Sequence, residues 1–236
     1  MLDTWTKSVI TVGDGRGFIV ETQQERRYVI TATHCLPCEP GGFGSVSDMS
    51  DRTYRDLLGQ IGSKPTVWAE CVFYDPVIDL AVLCEPDGQA LWDENEAYEA
   101  LVDAADPLTI AEIPLERERI AGFGNDVILG PPRGSCRAWL MSIDCRWFSC
   151  ECLLTEASIG LRNGDEHIVG GMSGSPIVTD DGAAIGIVCS GDATDLFNLP
   201  QPHLVARLPG WFLRELGATI EMKTKSRSWV ENVRVL

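Results

Sequence analysis

The sequence predicts an all-β fold, a sandwich or a barrel, with two helices set outside the strands. Short apolar runs bounded by Gly, Pro, Asp and Asn recur along the 236 residues, the pattern of short strands joined by tight turns. Hydrophobic residues make up 44% and charged residues 23%. That is the composition of a globular chain, neither disordered nor fibrous, and it suffices for a sizeable core. No run of about 18 consecutive apolar residues occurs, so no membrane span is expected.

The candidate strands are Ser8–Val12, Gly17–Glu21, Tyr28–Ala32, Thr66–Phe73, Leu80–Leu83, Arg119–Gly122, Arg137–Ile143, Cys150–Glu156, Ser175–Val178 and Ala184–Cys189. The segment Leu91–Ala104 departs from this pattern. Its composition favours helix, and Leu91, Tyr98, Leu101 and Val102 are spaced to share one face. A second helix is expected near Leu208–Leu216, with Trp211, Phe212 and Leu216 packing inward and Gly217 ending it.

Formal net charge is −16, which repels phosphate backbones and argues against a nucleic-acid partner. No Lys or Arg lies between Lys64 and Arg117, and the basic residues Lys223, Lys225, Arg227 and Arg234 cluster in the tail. Both features read as solvated surfaces, with attraction of basic partners by the acidic stretch and a docking role for the tail as the alternatives. The N-terminus carries Asp3 and lacks an apolar core segment, so it does not read as a secretory signal. Nine cysteines at irregular spacing fit a reducing compartment, and a cytoplasmic location is expected. Only one clean C-x-x-C pair is present, Cys35 and Cys38. Structural zinc ordinarily takes two such pairs, so neither metal nor cofactor is expected.

A hydroxyl becomes a nucleophile near neutral pH only with a base in hydrogen-bond reach and a partner that fixes the base's tautomer. It also needs N–H donors aimed at the developing oxyanion. Three histidines are present, His34, His167 and His203. His34 ends the apolar run Y-V-I-T-A-T-H, at a strand end where rigid scaffold meets loop. Asp79 lies within V-I-D-L-A-V-L, an acid in an apolar strand that needs a partner such as an imidazole N–H. Ser173 lies in a turn with Gly170, Gly171 and Gly174, which permit positive φ and close backbone approach. Position 175 is Ser rather than Gly, so the turn is not the G-x-S-x-G elbow of α/β-hydrolases. The order along the chain is His, Asp, Ser.

These residues sit in recognisable surroundings. T-A-T-H-C around His34 resembles the T-A-A-H-C of trypsin-like serine proteases, and D-L-A-V-L at Asp79 resembles their D-x-A-[VL]-L. G-M-S-G-S-P at Ser173 resembles their G-[DN]-S-G-[GS]-P. Further likeness lies in G-R-G-F-I-V from Gly15, A-G-F-G from Ala121 and A-A-I-G-I-V from Ala183, so the match spans roughly Gly13 to Gly191. The likeness is to bacterial trypsin-like peptidases more than to digestive enzymes.

The resemblance implies a chymotrypsin-like fold of two Greek-key six-stranded β-barrels, with a short inter-barrel helix and a C-terminal helix. It divides the chain into residues 1–105 carrying His34 and Asp79, residues 106–200 carrying Ser173 and the specificity pocket, and residues 201–236 as helix and tail. It implies that His34 is the general base, Asp79 its orienter and Ser173 the nucleophile, with the N–H groups of Gly171 and Ser173 as the oxyanion hole. His167, Cys189, Ser190 and Gly191 would line the substrate pocket, and an extended peptide would be the substrate.

Three departures stand out. Met172 replaces the acid that receives a liberated N-terminus in digestive relatives, so activation by that ion pair is not expected. Thr33 replaces an alanine, a modest change. Cys35 matches a disulfide position without a matching cysteine in the Gly13–Val20 strand. The carboxylates Asp165, Glu166 and Asp192 lie near the pocket segments and would favour a basic P1 residue if one reached in. The leading reading is an intracellular bacterial serine endopeptidase with a processing, regulatory or defence role, open to control by an activating protein partner. A catalytically silent peptide-binding module and an esterase with the same triad are the alternatives.

Overall fold

The computed structural model describes residues 2–40, 52–117, 119–121, 127–162, 168–189 and 201–217. The first β unit comprises β1 (Val9–Val12), β2 (Gly15–Glu21), β3 (Arg27–Thr31), β4 (Thr53–Gln60), β5 (Val67–Asp75) and β6 (Leu80–Cys84). They close into a barrel in the order β1-β2-β3-β6-β5-β4. Strands β2, β3 and β6 are buried along almost their whole length, which is why they read as continuous apolar runs. Strand β4 was not expected. Its pairing with β5 shifts register between Tyr54 and Leu58, and Asp56 takes φ +50°. A bulge of this kind interrupts the period-two pattern by which a strand is read.

The second β unit holds β7 (Thr109–Ile110), β8 (Arg119–Ala121), β9 (Val127–Leu129), β10 (Arg133–Met141), β11 (Trp147–Thr155), β12 (Ile159–Arg162), β13 (Pro176–Thr179) and β14 (Ala183–Ile187). Six of them form a sheet in the order β12-β11-β10-β13-β14-β7, beside the ribbon β8-β9. Along β11, Cys150, Cys152 and Leu154 turn inward while Ser149, Glu151, Leu153 and Thr155 face solvent. A closed six-stranded barrel beside a second, mostly antiparallel sheet is consistent with the chymotrypsin-like arrangement that the resemblance implied.

Among the described residues four α-helices flank the strands. The connecting helix α2 (Trp92–Asp103) lies within one residue of its expected bounds at each end. It buries Tyr98 and Val102, and the Tyr98 hydroxyl donates to the carbonyl of Arg27 at 3.1 Å. Helix α1 (Leu2–Ser8) was not anticipated. Trp5 in its middle is buried beside Trp147, with ring centroids 5.6 Å apart, and Trp139, at 6.4 Å. Near the C-terminus, α3 (Leu204–Arg207) and α4 (Gly210–Glu215) replace the single expected helix. Phe212 and Leu213 pack inward, whereas Trp211, expected to be buried, is 39% exposed. Gly217 takes φ +65° and donates to the Arg214 carbonyl, ending α4 as glycine commonly does. No helix among the described residues is long and apolar enough to cross a membrane.

The two units share apolar core. Val178, Ala184, Ile187, Leu204 and Phe212 belong to the same buried cluster as Phe18, Ile30 and Leu83 of the barrel. Phe212 meets Tyr28 edge-on at 5.0 Å. Phe212→Ala should therefore lower stability by about 3–5 kcal/mol, the usual range for deleting a buried aromatic ring. Urea unfolding measures it, and an unchanged midpoint would mean that this ring does not tie α4 to the barrel.

Candidate active site

Strand β3 delivers His34 to the surface. After Thr31 the chain runs extended through Ala32 and tightens into a 3-10 turn, Thr33–Cys35. Thr33 and Cys35 are buried there, while the His34 side chain is 48% exposed. Asp79 lies not inside a strand, as its sequence context suggested, but in the turn just before β6, at φ +56°. That region is sparsely populated for side chains other than glycine, although Asp tolerates it better than most. The surrounding hydrogen bonds hold it there.

The carboxylate of Asp79 is met from one side by three donors. Oδ2 lies 2.6 Å from Nδ1 of His34. Oδ1 accepts from the Thr33 hydroxyl at 2.5 Å and from the His34 backbone N–H at 3.0 Å. A carboxylate at Nδ1 places the ring proton on that nitrogen and leaves Nε2 with its lone pair free. Thr33 is thus more than the modest change expected of it. Its hydroxyl occupies the oxygen that the His34 ring does not take, which fixes the rotation of the carboxylate.

Ser173 lies in a turn shaped by glycines of positive φ, Gly171 at +86° and Gly174 at +79°. A Cβ on Gly174 would stand 1.8 Å from the carbonyl oxygen of Arg16, so no other residue fits. Met172 is fully buried in the core of the second unit, an apolar anchor where an acid would need a cationic partner. The N–H groups of Met172, Gly174 and Ser175 donate to Val169, Val188 and Met172. Those of Gly171 and Ser173 donate to no described residue. Ser173 is partly exposed, whereas Ser175 is 0% exposed and its hydroxyl has no partner among the described residues. Of the two serines, solvent reaches Ser173.

The two halves of the site meet through backbone. The Arg16 N–H donates to the carbonyl of Ser173 at 2.8 Å, and the Cys35 thiol lies 3.6 Å from the same oxygen. Ser173 is therefore packed against the residue that follows His34. Gly15 makes this approach feasible, because a Cβ there would stand 2.5 Å from Cys35 Sγ and 2.8 Å from the Ser173 carbonyl. On the other flank the Cys189 thiol lies 3.5 Å from the Asp79 carbonyl. Burial pushes the Cys35 thiol up to about 11 and the Cys189 thiol higher still. Both stay protonated near neutral pH and act as small apolar fillers beside the site.

Of the expected pocket residues, Cys189 flanks Asp79, while His167, Ser190 and Gly191 lie outside the described residues. Asp165, Glu166, Asp192 and the basic tail also lie outside them. His203 is buried and its Nε2 donates to the Thr155 carbonyl at 2.8 Å, a structural role. All nine cysteines are free, and the described residues hold no cluster of metal-ligating side chains. Two residues of the site were not anticipated. Thr33 was visible only as an unusual neighbour of the histidine, and Arg16 only as a charge within an apolar strand.

No protein-family model and no curated protein matches the chain. Among solved structures the chain is similar to the Rv3671c protease in its inactive form, at 17% identity over 92% of each chain with a TM-score of 0.49. A serine-to-alanine mutant of that protein from Mycobacterium tuberculosis, also inactive, is 18% identical over 93% of this chain and 91% of its own, with a TM-score of 0.46. The active form is 18% identical over 92% and 85%, with a TM-score of 0.42. Likeness at this level carries no argument about activity.

Thr33→Val should leave the fold intact and lower turnover about tenfold, since hydrogen bonds to charged groups contribute on the order of 1.5–3 kcal/mol. Unchanged kcat would show that the hydroxyl does not orient Asp79. In the folded chain at about pH 7.5, iodoacetamide should alkylate the exposed Cys38 and spare Cys35 and Cys189, because raised thiol pKa values leave almost no thiolate. Modification of Cys35 should set in only as the pH approaches 11. Peptide mass mapping across a pH series reads both outcomes.

Proposed function

We propose that this chain is a serine endopeptidase in which Ser173 attacks the substrate carbonyl, His34 moves the proton and Asp79 orients His34. The observation that supports this best is the 2.6 Å contact between His34 Nδ1 and Asp79 Oδ2, on a loop packed directly against the Ser173 turn. In the first half-reaction the Ser173 oxygen bonds to the scissile carbon as Nε2 of His34 takes the hydroxyl proton. The carbonyl electron pair moves onto oxygen, where the N–H groups of Gly171 and Ser173 stabilise it. Collapse expels the amine, which leaves with the proton from His34, and an acyl-serine remains. Water repeats the sequence, with its proton going to His34 and then to the serine oxygen, and the acid is released.

Protein or peptide is the substrate, and an extended segment would lie along Cys189, Ser190 and Gly191, with His167 in the pocket wall. The surplus of negative charge disfavours nucleic acid. Free cysteines at every position support an intracellular setting, as does the resemblance to bacterial stand-alone peptidases of processing, regulatory or defence type. Control by a protein partner belongs to the same reading. Met172 supports activity without trimming, because a buried thioether offers nothing to a newly formed N-terminal ammonium.

Two measurements test the proposal. A fluorophosphonate should add once, on Ser173 of the untrimmed chain, and intact mass spectrometry would report it. Ser173→Ala should abolish labelling and lower peptide turnover by about four orders of magnitude, with stability unchanged. Labelling without peptide turnover, but with ester turnover, would point to an esterase. A folded chain that neither labels nor turns over either substrate would refute the assignment.

A further inference from the structure

Arg16 is 3% exposed, a cation on a strand whose neighbours Gly15, Gly17, Phe18, Ile19 and Val20 are small or apolar. No carboxylate among the described residues pairs with it. Three consecutive backbone carbonyls do. Nη1 donates to Met141 at 2.9 Å, and Nη2 donates to Ser142 at 2.9 Å and Ile143 at 3.0 Å. Burying a charge without a counter-ion is costly, and an apolar side chain of similar length would avoid that cost. What such a side chain would lack is a rigid planar fork able to fix several acceptors in one plane.

The acceptors lie at the end of β10 and in the turn leading to β11. Ile143, half exposed there, puts its Cδ1 3.0 Å from the point where a Cβ on Gly171 would be. It rests on the backbone of that glycine. The main chain of Arg16 touches the same turn from the other side. Its N–H holds the Ser173 carbonyl at 2.8 Å, and its own carbonyl accepts from the Thr31 hydroxyl at 2.7 Å, directly under Gly174. One residue therefore braces the turn at positions 173 and 174 through its backbone, and at position 171 through its side chain and Ile143.

We propose that Arg16 is a positioning residue whose guanidinium clamp on residues 141–143 presses Ile143 against Gly171 and holds the Gly171 and Ser173 N–H groups convergent. The clamp is local structure, and its catalytic consequence rests on the serine-peptidase reading above. It accounts for how the turn keeps its shape with Met172 in place of an acid. The brace comes from the first β unit and from an apolar contact.

The test compares wild type with Arg16→Met, Arg16→Lys and Ile143→Gly, all as full chains, by hydrogen–deuterium exchange, thermal melting and steady-state kinetics. In Arg16→Met the amides of residues 170–174 should exchange about tenfold faster than in wild type. Turnover kcat should fall by about 10- to 100-fold with KM within about threefold, approaching the loss of one oxyanion donor. Arg16→Lys, which keeps the charge but not the fork, should recover part of both effects. Ile143→Gly should raise exchange in the same segment and lower kcat without changing Tm, since its side chain is half exposed. That variant decides the matter if Arg16→Met fails to fold.

Wild-type exchange and kcat in Ile143→Gly, or in a folded Arg16→Met, would overturn the proposal. So would exchange that rises uniformly over the whole chain in step with a lowered Tm, the signature of a purely structural residue. If wild type neither labels with fluorophosphonate nor cleaves peptide, the peptidase reading fails on its own account. Exchange in residues 170–174 then still decides the clamp, faster exchange in the variants supporting it and unchanged exchange overturning it.

Discussion

Between the two β units, the hydrogen bond from the Arg16 N–H to the Ser173 carbonyl is the contact on which the geometry of the site depends. Everything near it is built to let two backbones approach. Gly15 leaves room for Cys35 and for the Ser173 carbonyl, and Gly174 leaves room for the carbonyl of Arg16. Gly17 is similarly crowded between Val12 and Val29. A side chain at Gly15 or Gly174 would force the units apart by more than a hydrogen bond tolerates, and one at Gly17 would strain the first barrel itself. The backbone of the Ser173 turn is therefore brought against Arg16 and Cys35 by the absence of side chains as much as by attraction.

Around this seam the site is stiffened by groups that take no charge near neutral pH. Cys35 and Cys189 fill the space beside Ser173 and Asp79, and their burial keeps them as thiols. A thiol of this kind packs like a small apolar side chain and adds a weak donor toward a carbonyl. The carboxylate of Asp79, by contrast, is partly exposed and is met by three donors, which is how an acid is kept in one orientation. Met172 completes the pattern by tying the serine turn into the core of the second unit without any ion pair.

How far this could be read in advance depended on whether the cause was local. Strands β2, β3 and β6 were legible because burial on both faces writes a continuous apolar run into the sequence. Strand β4 was not, because its bulge and the left-handed Asp56 break the alternation. Helix α1 is short, and its place depends on Trp5 packing with Trp139 and Trp147, which come much later in the chain. Trp211, expected to pack inward, is exposed because the C-terminal segment forms two short helices, and one residue of helical phase moves a side chain by about 100°.

The sequence alone determined the all-β class, the connecting helix, the glycines of the serine turn, and a histidine, an aspartate and a serine in the order of the chymotrypsin-type triad. The first three are written by neighbouring residues through propensity, periodicity or positive φ, and the triad candidates by the resemblance of their flanking motifs. Tertiary structure decided the rest. It put Asp79 in a turn rather than a strand, gave Thr33 a hydrogen bond to the carboxylate, buried Arg16 against three carbonyls and laid Ile143 on Gly171. Those contacts join segments far apart in the chain, and their geometry is set by barrel closure and by the crossing of the two cores. No local pattern of residues encodes a distance of that kind.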